Sequence, residues 1–280
     1  MGSIANLFGY LLNFFYNLFD NYGIAIIVFS VVLKIILIPI TWSQQKSMKK
    51  SGELQGKLKE IQNKYKNNPE KLEQEMRDLY KRENMNPFSG CLSSIVQILI
   101  ILSVFWLVSK PLTYMKKVEP NLIEKYTNEI KEDKKNIAYP EISIIQKKSK
   151  DDEKVFINMD FCGLDLSLIP NQHLNDYKVY IIPVLYVITS FISIKLTNSV
   201  GNNKKVSKEK EENNSKDENL EAMEEMSKSM SYMFPIMSIS IAFMAPLGLA
   251  LYWLVSNILM IIERFIIVKI EKVKEEKKNA

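Results

Sequence analysis

The sequence is poor in the residues from which disulfide scaffolds and many catalytic sites are built. Its 280 residues include 2 cysteines and 1 histidine, too few for a disulfide framework or a histidine-based zinc or triad site. With 9 glycines and 10 prolines, it is not typical of collagen-like or low-complexity fibres. Phosphate-binding, zinc-protease and nucleophile-elbow motifs are missing from it. We therefore predict no catalytic residues, no cofactor and no metal, and we do not expect an enzyme.

Charged and apolar residues are separated into blocks. The chain has 37 basic and 32 acidic residues, a net charge of +5, and a mean hydropathy of -0.07 that would suit a soluble protein. The apolar residues, however, form runs long enough to cross a bilayer, and the charges fill the gaps between them. Lysines alternate with glutamates rather than forming a basic patch, so nucleic acid is not an indicated partner. The pattern predicts an all-α membrane protein.

Five transmembrane helices are expected. Basic residues follow the first apolar run and none precede it, so the positive-inside rule places the N-terminus outside and the C-terminus in the cytoplasm. The last run, 232–268, would make a helix of roughly 55 Å, which exceeds a hydrocarbon core of ~30 Å, and Ala245 to Gly248 can break it. The predicted spans are 23–42, 91–109, 179–197, 231–245 and 247–268.

Residues 1–22 have helical apolar periodicity with asparagines on the other face. This pattern favours an extracytoplasmic amphipathic helix that lies in the membrane interface. A first transmembrane helix interrupted by asparagines remains the alternative. The expected apolar face consists of Ile4, Leu7, Phe8, Leu11, Phe15, Leu18 and Phe19.

The polar segments differ from one another. Residues 43–86 predict a cytoplasmic antiparallel helical hairpin. The outer segment 110–178 has weak periodicity and is expected to fold loosely or against the bundle. Residues 198–230 read as a flexible cytoplasmic loop, and 269–280 as a cytoplasmic tail. The apolar seam of the hairpin is predicted to contain Leu54, Leu58, Ile61, Leu72, Met76 and Leu79.

Lys34 is the most informative single residue, because a charge near the middle of an apolar span costs about 2.5–3.5 kcal/mol on insertion. The cytoplasmic end near Ser43 lies about 13 Å away at 1.5 Å per residue, beyond the reach of a lysine stem of roughly 6 Å. A water-filled cavity around Lys34 is therefore favoured over snorkelling of its side chain to the interface.

Three further residues are candidates to line the same space. Ser30 lies one turn before Lys34, and Ser193 and Trp253 lie in the third and fifth spans. For Ser193, simple packing between helices is an equal alternative. Asn257 is expected to hydrogen-bond to a neighbouring helix.

Five stretches in chain order carry a family resemblance: Ser30–Thr41, the hairpin with Leu54, Leu58 and Tyr65, Asn86–Leu92, Gly163–Ser167 and Gly248–Asn257. Together they resemble the YidC-type membrane protein insertases. The resemblance implies a five-helix core with a hydrophilic groove that is open to the cytoplasm and to lipid but sealed outside.

By this resemblance, the groove charge falls on Lys34, where the family usually has arginine. The substrate-contacting aromatic falls on Trp253, a polar contact on Ser30, and a weaker one on Ser193, where glutamine is frequent. The resemblance implies insertion of nascent membrane proteins into the bacterial plasma membrane without nucleotide hydrolysis. The expected partners are membrane lipid, the ribosome and the Sec translocon. A monomer is expected to be sufficient for the activity. A small-solute transporter or channel and a membrane scaffold are the alternatives.

Overall fold

The computed structural model describes residues 2–66, 68–83, 89–133, 137–201 and 237–279. Most of the predicted flexible loop, 198–230, lies outside these ranges. The start of the predicted fourth span, 231–245, also lies outside them. The chain divides into two compact units. One contains Met1–Val32 and Ser103–Ala280, and the other contains Leu33–Leu102.

Helices dominate the described residues. The first four are α1 (Gly2–Phe19), α2 (Tyr22–Lys64), α3 (Pro69–Arg82) and α4 (Ser89–Ser109). A π-helical turn, Leu112–Lys116, precedes α5 (Pro120–Asp133) and α6 (Pro140–Lys148). The last helices are α7 (Ile181–Gly201), α8 (described residues 237–244) and α9 (Leu247–Asn279).

Three helical segments are long and apolar enough to cross a bilayer: Tyr22–Ser43, Tyr177–Leu196 and Leu247–Ile270. They overlap the predicted first, third and fifth spans. Helix α4 contributes a shorter apolar segment, Ile98–Ser109, and residues 245 and 246 separate α8 from α9. An all-α membrane protein fits this architecture.

Helix α2 continues without interruption through the predicted boundary between the first span and the hairpin, and it contains Pro39. The chain then turns, and α3 begins where Asn68 caps it by accepting a hydrogen bond from the backbone N–H of Lys71 at 3.1 Å. Pro69 follows at the first helical position, where its missing N–H costs nothing. The local sequence therefore explains the start of α3.

Among the residues of α2 and α3 whose exposure the structure describes, few buried groups join the two helices. Leu54 and Leu79 are buried, whereas the other predicted seam residues are partly exposed; these are Leu58, Ile61, Leu72 and Met76. Lys57 forms an ion pair with Glu83, and the hydroxyl of Tyr65 lies 3.4 Å from Glu75 Oε1.

Helix α1 packs one face on the protein and exposes another. Its buried face has helical spacing at Ala5, Gly9, Leu12 and Tyr16. A Cβ atom on Gly9 would lie 1.8 Å from the backbone oxygen of Tyr114, so the helix touches the π-helical turn there. The predicted apolar face is divided in the structure. Phe15 packs against the protein, whereas Leu7 and Leu18 are exposed.

The outer segment folds against the helices rather than loosely. It contains a short antiparallel β-hairpin formed by β1 (Asp160–Phe161) and β2 (Leu164–Asp165), which the all-α prediction missed because four strand residues give no periodicity. Gly163 between the strands has a φ of +76°, which glycine adopts without steric cost. The buried apolar core of this segment consists of Leu112, Met115, Ile130, Ile142, Ile144, Ile145, Val155, Ile157, Met159, Leu166 and Ile169.

Candidate functional site

Helices α7 and α9 pack together, and polar side chains lie along their contact. Asn257 Nδ2 donates a 2.7 Å hydrogen bond to Ser190 Oγ, which confirms the prediction that Asn257 bonds a neighbouring helix. Tyr186 Oη donates a 2.7 Å hydrogen bond to Ser238 Oγ of α8. We call Tyr186, Ser190, Ser238 and Asn257 the polar seam. Such bonds between membrane helices contribute about 0.6 kcal/mol on average. They therefore add little to the stability of the fold, but they hold the polar side chains in defined positions.

Trp253 lies beside the polar seam, one helical turn before Asn257. Its ring centroid is 5.8 Å from that of Tyr186, with an interplanar angle of 35°, and its side chain is partly exposed. An amphipathic indole held against polar groups can contact both apolar and polar parts of another chain. The position therefore offers a mixed apolar and polar surface beside the seam.

The two predicted serines are buried. Ser193 is 7% exposed and lies on α7, one turn after the seam residue Ser190. Ser30 is 3% exposed, and its hydroxyl donates a 2.7 Å hydrogen bond to the carbonyl oxygen of Ile26 in the same helix. The Ser30 proton is thus satisfied locally, as is common for serines in membrane helices.

Lys34 lies on α2 in the unit formed by Leu33–Leu102, and its side chain is partly exposed. Of the predicted groove residues, the structure therefore places Ser193 and Trp253 on the packed pair α7 and α9, and Ser30 and Lys34 on α2. Tyr186 and Ser190 were not predicted, although their spacing with Ser193 on one face of α7 was a usable signal.

The outer segment caps the helices that start on its side. Backbone N–H groups of Leu247 and Gly248 donate to the carbonyl oxygens of Leu168 and Leu166, both at 2.9 Å. The N–H of Tyr22 donates to the carbonyl oxygen of Asn158 at 3.0 Å. The first N–H groups of a helix have no partner within it, so the outer segment satisfies donors at the starts of α2 and α9.

A buried carboxylate anchors this region. Glu141 is 5% exposed, and its two oxygens accept hydrogen bonds from the backbone N–H of Thr113 at 2.9 Å and from its hydroxyl at 2.6 Å. Burial raises the pKa of Glu141 above its usual value, and the bonds from Thr113 oppose that shift. A glutamate in a loop of weak periodicity gave no sequence signal for this contact.

Within the described ranges, no group of three histidine, cysteine or acidic side chains could hold a metal ion.

The comparisons with known proteins agree with one another. Residues 14–276 match the family described as 60Kd inner membrane protein. The chain is 29% identical over 273 residues to a protein of Fusobacterium nucleatum named membrane protein insertase YidC, covering 96% of this chain and 98% of that protein. It is 27% identical to a protein of the same name from Caldanaerobacter subterraneus, with 96% of each chain covered.

Other relatives are longer. A protein of Geobacter metallireducens that is also named membrane protein insertase YidC is 30% identical over 253 residues, which are 90% of this chain but 34% of that protein. The chain thus spans nearly the whole of some relatives and about a third of others. With a family match over almost its entire length, the chain belongs to the 60Kd inner membrane protein family.

Proposed function

We propose that this protein is a membrane protein insertase that moves nascent membrane proteins from the cytoplasm into the lipid bilayer. The family match over residues 14–276 carries the proposal, together with relatives of similar length whose printed names state that activity. The polar seam with Trp253 beside it supports the assignment, since it provides polar groups between two helices apolar enough to cross a membrane.

The proposed topology has five spans with the N-terminus outside and the C-terminus in the cytoplasm. Residues 43–86 form the cytoplasmic hairpin, 110–178 the outer segment, and 198–230 and 269–280 further cytoplasmic parts. The bonds that cap α2 and α9 support an outer side that stays closed. Nascent membrane proteins and lipid are the proposed partners, with the ribosome and the Sec translocon as delivery partners.

The proposed mechanism uses a hydrophilic groove that opens to lipid. Unpaired backbone polar groups of a translocating segment each cost several kcal/mol in hydrocarbon. Polar side chains partway across the membrane lower that barrier, and the substrate's own apolar helix then partitions into lipid. This partition drives the step without nucleotide hydrolysis.

Lys34 is the proposed groove charge. Its position in an otherwise apolar span supports a polar environment around it, and its ammonium group would attract acidic residues of the translocating segment. Lysine presents a compact charge on a flexible stem, whereas arginine presents a planar fork of donors.

The test is expression in cells depleted of their own insertase, followed by insertion of a single-span substrate with an acidic outer tail. We expect rescue by the wild type and by Lys34→Arg, and a reduction of about tenfold for Lys34→Ala. Lys125→Ala removes an exposed lysine of α5 in the outer segment and is the matched control.

Equal rescue by Lys34→Ala would remove Lys34 from the mechanism but keep the insertase. Failure of the wild type to rescue, in a host where the relative from Fusobacterium nucleatum does rescue, would overturn the function itself. In that case a transporter, channel or scaffold would have to be considered again.

A further inference from the structure

The orientation of the Trp253 indole depends on its neighbours. An aromatic side chain in a helix has two common rotamers about its first side-chain bond, and the ring of Trp253 is only partly exposed on α9. The ring of Tyr186 packs against it, with the two centroids 5.8 Å apart. An aromatic pair at such a separation favours the packed arrangement by about two- to tenfold. The ring of Tyr186 can therefore select one orientation of the indole.

Tyr186 is itself held at the far end of its side chain. The residue is 6% exposed, and its hydroxyl donates a 2.7 Å hydrogen bond to Ser238 Oγ on α8. Ser238 is also buried, at 5% exposed. A buried hydroxyl that loses its acceptor without gaining water destabilises the protein, which opposes rotation of the ring away from Ser238. The position that satisfies the hydroxyl is also the one in which the ring packs on Trp253.

A second pair fixes the register of the two helices that carry these rings. Ser190 lies one turn after Tyr186 on α7, and Asn257 lies one turn after Trp253 on α9. Asn257 Nδ2 donates to Ser190 Oγ at 2.7 Å, so the polar pair repeats the aromatic pair one turn further along. The two pairs follow in the same order on both helices, which therefore run in the same direction. This agrees with the proposed topology, in which both spans run inward.

We propose that Tyr186 is a positioning residue for Trp253. Its ring holds the indole in the orientation that meets a nascent chain, and the hydrogen bond to Ser238 holds the ring. The orientation of the indole thus depends on three helices, α7, α8 and α9. This inference rests on the proposed function, in which Trp253 contacts the substrate, and it gives Tyr186 no substrate contact of its own.

The test observes Trp253 directly. The chain has 3 tryptophans, so Trp42→Phe with Trp106→Phe leaves Trp253 as the only one, and this background is the reference for every variant. Time-resolved fluorescence anisotropy of the purified full chain in lipid nanodiscs measures the ratio of mobile to held indole. Insertion of the single-span substrate is measured in depleted cells for the same variants. A loss of stability alone would lower the unfolding midpoint but would not make the indole mobile in the folded protein.

Tyr186→Leu removes the ring and should raise the ratio of mobile to held indole about two- to tenfold. Tyr186→Phe keeps the ring but loses its hydrogen bond, and Ser238→Ala removes the acceptor, so each should give a smaller rise. Because these two changes break the same bond, the double variant should move the indole no more than Tyr186→Phe alone. Insertion should fall in the same order, with the largest loss for Tyr186→Leu.

Phe191→Leu is the matched control, because it removes an aromatic ring from a position of α7 that is 60% exposed. It should leave both the indole and insertion unchanged. Tyr186→Phe and Ser238→Ala are small changes that keep the test decisive if Tyr186→Leu does not fold.

An indole that is no more mobile in Tyr186→Phe, Ser238→Ala and Tyr186→Leu than in the background would overturn the proposal. A mobile indole with undiminished insertion would also overturn it, because the orientation would then not matter to the substrate. The fluorescence measurement does not depend on insertion. The expected fluorescence in a protein whose wild type does not insert the substrate would instead overturn the proposed function.

Discussion

The outer segment and the α2–α3 pair are held together in different ways. The outer segment combines a buried apolar core with a buried glutamate and with backbone bonds to the starts of α2 and α9. Between α2 and α3, Leu54 and Leu79 are the buried apolar residues among those whose exposure is described, and the ion pair of Lys57 with Glu83 is exposed. Buried contacts between distant parts of the chain give a region that opens only with global unfolding, whereas exposed local contacts allow opening at low cost. The difference agrees with the proposed function, in which the outer side stays closed and the cytoplasmic side receives the substrate chain.

The largest change in the free energy of unfolding is expected from Glu141→Ala in the outer segment. The change removes the acceptor of the partly buried N–H and hydroxyl bonds of Thr113 and empties the buried site of the Glu141 side chain, and we expect a loss of about 1–3 kcal/mol in the free energy of unfolding. Thermal unfolding of the purified protein in detergent measures it. Glu124→Ala, at an exposed position of α5, should change stability by less than about 0.5 kcal/mol. Equal midpoints for the two variants would show that Glu141 does not anchor the outer segment.

A smaller effect is expected from pH. Because burial raises the pKa of Glu141 in the folded protein, the part of its stabilising effect that comes from protonation is fully present below the unfolded pKa of about 4.3. That part is lost as the pH rises through the raised folded value. The wild type should therefore lose stability over this range relative to Glu141→Gln, which has no proton to release. Unfolding midpoints at several pH values between 4 and 8 measure the difference. If the unfolding midpoints of the two proteins changed equally with pH, the raised pKa of Glu141 would be contradicted.

The sequence predicted the helices better than it predicted the outer segment, and the reason is physical. The apolar runs around Lys34 and Trp253 and the break at Pro246 are local signals, which hydropathy and proline geometry reveal directly. The outer segment is ordered by bonds such as that from Leu247 to Leu168, which join distant residues and leave no periodicity. The sequence did not predict that α2 continues into the hairpin. A change from apolar to charged residues marks a change of environment, and a helix can continue across it.

Part of the polar seam could be predicted from the sequence. The types of residue at positions 193 and 253 marked them as candidates, and Asn257 bonds the neighbouring helix as predicted. Its partner Ser190 could not be chosen from the sequence, since the packing of α7 on α9 decides which serine faces it. The hydroxyl of Ser30 donates to a carbonyl oxygen of its own helix, a local bond that the apolar pattern around it does not reveal.

A mutation in the polar seam should have a modest effect on stability. Asn257→Ala removes the bond to Ser190, and we expect a loss of about 0.6 kcal/mol and at most about 1.7 kcal/mol. A double-mutant cycle with Ser190→Ala isolates the coupling between the two side chains. A coupling energy as large as the effect of Glu141→Ala would show that the polar seam serves mainly to stabilise the fold rather than to provide a polar surface.

The smallest effect is expected between α2 and α3. Lys57 and Glu83 form an ion pair whose side chains are 54% and 38% exposed, so solvent screens their attraction. We expect a coupling energy of no more than about 0.5 kcal/mol in a double-mutant cycle of Lys57→Ala and Glu83→Ala. A coupling above about 2 kcal/mol would show that α2 and α3 form a rigid pair, which is what a scaffold function requires.

Contact between the polar seam and a nascent chain is the central claim. The most direct measurement replaces Trp253 with a photo-crosslinking amino acid and irradiates the protein in membranes while a ribosome-bound single-span substrate is inserting. The account predicts an adduct between position 253 and the nascent chain, and a much weaker one from Ile262, an exposed residue on the opposite face of α9. Equal adducts from both positions, or none from position 253 while insertion proceeds, would contradict it.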